Sequence, residues 1–300
     1  MVLPFISNKY TFTVGKKIQI ELMHYFDIKP NIAQKMLDRL RVFDEWGKPL
    51  KKGDVLQSPI VEIVEFMGFS RGLKPIFSNE DFAIFDKPND LLVHPVHRFT
   101  PYSLLDEVKW HFGQDANIVN RIDSETSGLI LISKNKYSEK ELKVKFENKE
   151  YEKTYLAIIC GKLEKEILID KPLDNDKKSK IRVKMGCFEN GRLSQTFVTP
   201  LATKSDFTLV KVIPYTGRQH QIRVHLSSIG YPILGDPIYN ADEDFADKYL
   251  NKEITQEERI KNTGDSRMWL HSNNLRFSYK KLNYDFQSIS RDIFEKFDSI

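Results

Sequence analysis

Between two apolar stretches, Ala116 to Ile122 and Gly128 to Ser133, the chain carries one isolated carboxylate, Asp123. Both stretches read as strands, so any fold of this sequence must hold an anion beside apolar surface. An ordinary aspartate is ionised at pH 7 and needs no general base to act as a nucleophile. Leaving such a charge unpaired is costly, so another part of the chain is expected to supply a cation. The candidate is Arg223, in the segment Thr216-Gly217-Arg218-Gln219-His220-Gln221-Ile222-Arg223-Val224-His225-Leu226, directly after a strand-like segment that ends at Pro214. A helix starting near Arg218 would bury Ile222, Leu226 and Ile229 as a stripe and carry Gln219 and Arg223 on a neighbouring face.

At 300 residues and 40% hydrophobic content, the chain can bury a full core and has room for one large domain plus a small appendage. No run approaches the roughly 20 apolar residues of a spanning helix, and the N-terminus lacks the basic flank of a signal sequence, so membrane insertion is not expected. Cys160 and Cys187 have neither metal-ligand spacing nor a secretory context, which points to a reducing cytoplasm and no disulfide. A net charge of +4 is mild. Basic residues cluster at Lys134, Lys136, Lys140, Lys143 and Lys145, and again at Lys177, Lys178, Lys180, Arg182 and Lys184; solvated lysines are the plain reading of either cluster alone.

Along the chain, Asn31 is expected to cap a basic amphipathic helix to about Arg41, followed by turns at Trp46 to Pro49 and Lys52 to Asp54 and a strand from Pro59 to Phe66. Glycines and a proline between Gly68 and Ser78 suggest a boundary, giving an N-terminal domain over 1–70 and a second over 78–300. In the second, strands are expected at Phe82 to Phe85, Leu91 to Val93, Lys153 to Ile159, Gln195 to Thr199, Phe207 to Ile213 and Trp269 to Tyr279. Ser103 is expected to cap a helix to Phe112, and Ser138 to open one ending near Asn148. The whole reads as α+β with a mixed, largely antiparallel sheet. Asp242 to Asp265 is charged and poor in apolar residues, and reads as an exposed helical insertion or mobile loop outside the core.

Residues 120–129, Asn-Arg-Ile-Asp-Ser-Glu-Thr-Ser-Gly-Leu, resemble the central motif of RluA-type RNA pseudouridine synthases, usually His-Arg-Leu-Asp-x-x-Thr-Ser-Gly-Leu; Asn120 and Ile122 depart from it. Residues 216–226 match the family's Thr-Gly-Arg-x-His-Gln-Ile-Arg-x-His-Leu at every fixed position. Three further blocks, Lys87 to Pro95, Lys153 to Ala157 and Gly230 to Tyr239, extend the resemblance over most of 80–275. The resemblance implies a pseudouridine synthase catalytic domain that isomerises uridine in RNA with no cofactor or metal. It implies Asp123 as nucleophile, Arg223 as its salt-bridge partner and Tyr155 as a ring platform for the uracil. It further implies substrate contacts from Thr126, Ile222 and Arg121. Strand alternation turns Arg121 to the side of Asp123, where it can fill the space of an extruded base or contact a phosphate.

The first seventy residues loosely resemble the alpha-L RNA-binding module of ribosomal proteins. That appendage favours large-subunit ribosomal RNA as substrate, with transfer RNA as the alternative. The protein is expected to act as a monomer in the cytoplasm. Two rival classes have sequence support. Asp123 and Glu125 could pair as the two carboxylates of a glycosidase acting on a nucleoside, and a catalytically idle RNA-assembly factor would keep RNA affinity without Asp123. Histidines at 220 and 225 are wrongly spaced for one helix face and lack a completing ligand, so no metal site is expected.

Overall fold

The N-terminal sheet joins β1 (Phe5–Thr11), β2 (Val42–Asp44) and β3 (Ile60–Phe66) in the order β1-β3-β2, all antiparallel, with Phe5 opposite Phe66 and Val42 opposite Ile63. Helices α1 (Ile18–Phe26) and α2 (Pro30–Asp38) contribute Ile18, Leu22, Ala33 and Leu37 to one buried cluster with Val61 and Ile63. In this computed structural model residues 4–97 and 99–300 are described. Residues up to 72 cluster with 94–114, which include α3 (Leu104–Phe112), and 73–93 cluster with 115–300. Residues 94–114, which the sequence reading placed after the boundary, thus group with the first unit. Helix α2 starts one residue before the expected Asn31 cap. Pro30, which has no N–H to leave unpaired and a φ preset for a helix, takes the first turn, and Lys29 is the cap.

The second unit is a ten-stranded sheet. Its strands are β4 (Phe77–Ser78), β5 (Phe82–Lys87), β6 (Asn117–Ile118), β7 (Ser127–Ser133), β8 (Tyr151–Cys160) and β9 (Ile167–Asp170), then β12 (Gln195–Lys204), β13 (Phe207–Pro214), β14 (Leu270–Tyr279) and β15 (Leu282–Gln287). A separate hairpin pairs β10 (Leu173–Asn175) with β11 (Met185–Cys187). The sheet order is β4-β5-β7-β14-β8-β13-β12-β9, with β6 on β7 and β15 on β14. Every pairing is antiparallel except β7 with β14, so the architecture is the mixed, largely antiparallel α+β sheet expected. The expected strand at Leu91 to Val93 is instead irregular chain.

Strand β7 is buried along its whole length, as a strand covered on both faces must be. Gly128 permits the close parallel approach of β14: its φ is +106°, and a Cβ there would lie 2.3 Å from the Ser272 carbonyl oxygen. Helix α4 (Lys136–Glu147) follows. Its cap is Asn135, whose side chain accepts from the Ser138 N–H at 2.9 Å, so Ser138 sits three residues inside the helix rather than at its start. Alternation along β8 sends Tyr155, Ala157 and Ile159 to a core shared with Ile222 and Leu226 of α5 (Gln221–Ser227). Leu156 and Ile158 go to the opposite face, with Ile293 and Phe297 of α8 (Asp292–Ser299).

The charged segment 242–265 corrects the reading of it as an insertion outside the core. It forms α6 (Glu243–Leu250), capped by Asp242, and α7 (Gln256–Thr263), capped by Thr255. Phe245, Ala246 and Arg259 are buried. Part of its charge is paired at the surface: Glu243 takes Lys184 at 2.9 Å and Asp244 takes Lys180, which engages two members of the second lysine cluster.

Candidate active site

Between β6 and β7 the backbone is irregular, so Arg121 and Asp123 do not lie on a regular strand and the alternation argument for Arg121 fails. The segment is fixed by other means. Asn120 is buried and its Oδ1 accepts from the Leu131 N–H at 2.9 Å; the Thr126 N–H donates to the Asp123 carbonyl at 3.1 Å, closing a turn. Beneath the turn, Lys87 is only 1% exposed and its Nζ donates to the carbonyls of Pro88 and Ser124, each at 2.8 Å. Burial draws that ammonium down to about 7, against the pull of Asp90, Asp123 and Glu125.

Asp123 opens into a cavity of about 340 Å³, at the small end of ligand sites. The loop 119–126, β8 and the start of α5 supply most of its wall. Helix α5 starts at Gln221, three residues later than the sequence implied, because His220 takes a left-handed conformation with φ 53°. Gln221 anchors that start. Its Nε2 donates to the Gln195 carbonyl at 2.9 Å and to Thr196 Oγ1 at 3.0 Å, while its Oε1 accepts from Thr216 Oγ1 at 2.6 Å and the Arg218 N–H at 3.1 Å.

This anchoring presents Arg223 to two carboxylates. Its Nε and Nη2 donate to Asp236 at 2.7 and 2.8 Å in a two-pronged pair, and Nη1 donates to Asp123 Oδ2 at 3.0 Å. The Asp123 side chain is 29% exposed, whereas those of Arg223 and Asp236 are 3% and 0% exposed. Only Asp123 of the three is thus open to a ligand. Burial disfavours charge on the other two, yet the pair overcomes it: Asp236 is held below its ordinary range by Arg223 and by the N–H groups of Ile238 and Tyr239, and Arg223 is raised. In sequence Asp236 stands only within the block Gly230 to Tyr239, with no signal of this pairing. Gly235 before it has φ +79°, and a Cβ there would meet the Arg267 carbonyl oxygen at 1.8 Å.

His220 lies 3.8 Å from Asp123. Burial, then the nearby Arg223 charge, pull it down to about 4, so near neutral pH it is an uncharged neighbour and no ion pair forms. Its Nδ1 is 2.9 Å from the Tyr239 hydroxyl. His225 has both ring nitrogens engaged, Nε2 with the Lys171 carbonyl and Nδ1 with Thr196 Oγ1.

Tyr155, Thr126, Ile222 and Arg121 all line the cavity. Tyr155 is 8% exposed on β8, opposite Ser272 of β14 and Val212 of β13. Burial, aided by the Asp123 charge, raises its hydroxyl, so the phenol stays protonated. Thr126 and Ile222 are buried, and Arg121 is exposed.

Glu125 does not line the cavity with them. Its carboxylate receives Arg259 Nη2 at 2.6 Å and Nη1 at 3.1 Å, together with the Tyr249 hydroxyl. An acid or base in hydrolysis must reach the substrate, so this geometry overturns the pairing of Asp123 and Glu125 as two glycosidase carboxylates. Nothing local in the sequence signals Arg259 as the partner, 134 residues away. Glu125→Gln should keep turnover within about tenfold of wild type while lowering the melting temperature, because Arg259 loses its counter-charge; single-turnover kinetics and calorimetry check both.

The family model described as "RNA pseudouridylate synthase" matches residues 81–228. An uncharacterised RNA pseudouridine synthase of Helicobacter pylori strain J99 is 33% identical over 291 residues, covering 95% of this chain and 96% of that protein. The ribosomal large subunit pseudouridine synthase D of Nitrosomonas europaea is 36% identical over 172 residues, 56% of this chain and 49% of that protein. Among solved structures, human RNA pseudouridylate synthase domain containing 1 has the same fold, with a TM-score of 0.60 at 22% identity over 74% of this chain and 85% of that one.

Proposed function

Because the chain belongs to the RluA-type RNA pseudouridine synthases and is therefore an RNA isomerase, we propose that it converts specific uridines of large-subunit ribosomal RNA to pseudouridine with Asp123 as nucleophile. The observation that carries this reading is the position of Asp123: the one partly exposed member of the Asp123–Arg223–Asp236 chain, facing a cavity of about 340 Å³. Arg223 holds the carboxylate in one orientation through the bond from its Nη1. Asp123 attacks the sugar as the bond to uracil nitrogen 1 breaks; the base turns, and carbon 5 bonds to the sugar in its place. Tyr155 supplies a flat surface on which the base can turn, and Ile222 and Thr126 complete the walls around it.

Arg121, exposed at the cavity, is placed to occupy the space left when the target nucleotide leaves its stack, a step costing a few kcal/mol. The N-terminal unit is the proposed RNA anchor, since Lys35 and Arg39 stand exposed at α2. Replacing both with alanine should reduce the slope of log affinity against log salt by about 2 in filter-binding titrations; an unchanged slope would remove that unit from the interface.

The target is tested by mapping pseudouridine, with selective adduct formation and primer extension, in unmodified ribosomal and transfer RNA treated with the enzyme. Stops in ribosomal RNA alone are expected. Stops confined to transfer RNA would replace the proposed substrate, and RNA binding without any stop would favour the idle assembly factor.

A further inference from the structure

Lys153 stands in the cavity wall without an assigned task. It lies two residues before Tyr155 on β8, so alternation turns both side chains to the same face with backbones about 7 Å apart. The residue is 7% exposed, yet among the described residues its ammonium has neither a hydrogen bond nor an ion pair. Its neighbours are ring faces: Nζ is 5.5 Å from the centre of Phe146 and 5.6 Å from that of Tyr151, two rings stacked at 4.3 Å.

The charged groups around it are already engaged or of the same sign. Asp123 faces Arg223 and His220 is neutral near pH 7, while Arg121 and Arg218 share the lysine's sign. On α4, Lys145 pairs with Glu150; on β14, Arg276 pairs with Asp285. Tyr151 and Tyr155 are both raised by burial and stay protonated. Ring faces repay only part of the cost of a buried cation. An apolar side chain would fit this wall at lower cost, so the amine is best explained by a ligand that brings negative charge to it.

Uridine isomerisation, on the functional reading given above, creates such a charge. When the sugar–nitrogen bond breaks, the electron pair stays with uracil and spreads over nitrogen 1 and the two carbonyl oxygens, while Asp123 holds the sugar carbon. Carbon 5 then bonds to the sugar carbon as the Asp123 carboxylate leaves it; carbon 5 loses its proton, and nitrogen 1 gains one. We propose that Lys153 is a catalytic residue that donates a hydrogen bond to a carbonyl oxygen of the detached uracil, holding its negative charge while the base turns against Tyr155. Burial alone brings the ammonium down to about 7, so the protonated donor is present at and below neutral pH and is lost as pH rises through that value.

The test uses transcripts of large-subunit ribosomal RNA and a transfer RNA pool, tritiated at uridine carbon 5, with release measured in single turnover. Lys153→Met should slow release at saturating enzyme by ~100-fold, the scale of one donor to a developing charge. Transcript affinity should move by less than about threefold, and the melting temperature should rise. Lys153→Arg should restore most of the rate and shift the alkaline loss of activity from near pH 7 to above about pH 9; this variant decides the matter if Lys153→Met does not fold. Wild-type release by Lys153→Met, or weaker binding with an unchanged saturating rate, would overturn the assignment, the latter making Lys153 a phosphate contact. No release by the wild-type enzyme would overturn the functional reading and this inference together.

Discussion

Asp123→Asn is expected to lower the rate of pseudouridine formation by on the order of 10⁴-fold or more, the scale seen when a nucleophile is removed. Fold and RNA affinity should change little. The asparagine Oδ1 can still accept from Arg223 Nη1, and Arg223 keeps its two bonds to Asp236. Nor is a charge stranded inside the protein, because the side chain lost is the exposed member of the three. A stability change within about 1 kcal/mol is therefore expected from denaturant titration. Comparable turnover in this variant would remove Asp123 from the chemistry.

Arg223→Ala should fail in both respects. Asp236 would keep only the N–H groups of Ile238 and Tyr239 at a site with no exposure, and Asp123 would lose the donor that orients it. Breaking a buried pair by removing one partner costs about 3–5 kcal/mol, well beyond the cost of the Asp123 substitution. Activity should fall below detection even at temperatures where the variant remains folded. Replacing Asp236 as well, with Asn, should recover part of the lost stability but none of the activity, since the stranded carboxylate is then gone while Asp123 still lacks its partner. That divergence separates the structural task of Arg223 from its catalytic one.

The features legible in sequence were those set by local pattern or by simple charge balance. Apolar alternation and the flanking turn residues marked β3, β8, β13 and β14 to within a few residues. The cost of an unpaired carboxylate beside apolar chain called for a cation at Asp123, and the motif resemblance of residues 216–226 singled out Arg223. What escaped depended on competition between neighbours or on distance. Asn135 displaced Ser138 as the cap of α4 because both lie within one turn and only one can accept from the first free N–H groups. Helix α1 is not legible in sequence because Ile18 to Phe26 has no clean polar stripe to display a helical period.

The turn after Asp123 was hardest to read. Its supports are Lys87, which reaches the Ser124 carbonyl, and Arg259, which closes on Glu125 from a segment that reads as an exposed helical insertion or mobile loop and is helical but partly buried. A charged, apolar-poor sequence can become buried when its charge finds a partner, and nothing within the segment itself records that. Lys153 posed the converse problem. Its motif was plain, but that its amine lacks a counter-charge emerged only from the arrangement of β8, α4 and the cavity.

The measurement closest to the central claim is nucleoside analysis, by liquid chromatography and mass spectrometry, of ribosomal RNA transcripts incubated with the wild-type and Asp123→Asn proteins. The account requires pseudouridine to appear at the expense of uridine with the wild type only, at unchanged mass and with no free uracil. Free uracil released from the RNA, or equal pseudouridine from the Asp123→Asn protein, would contradict it.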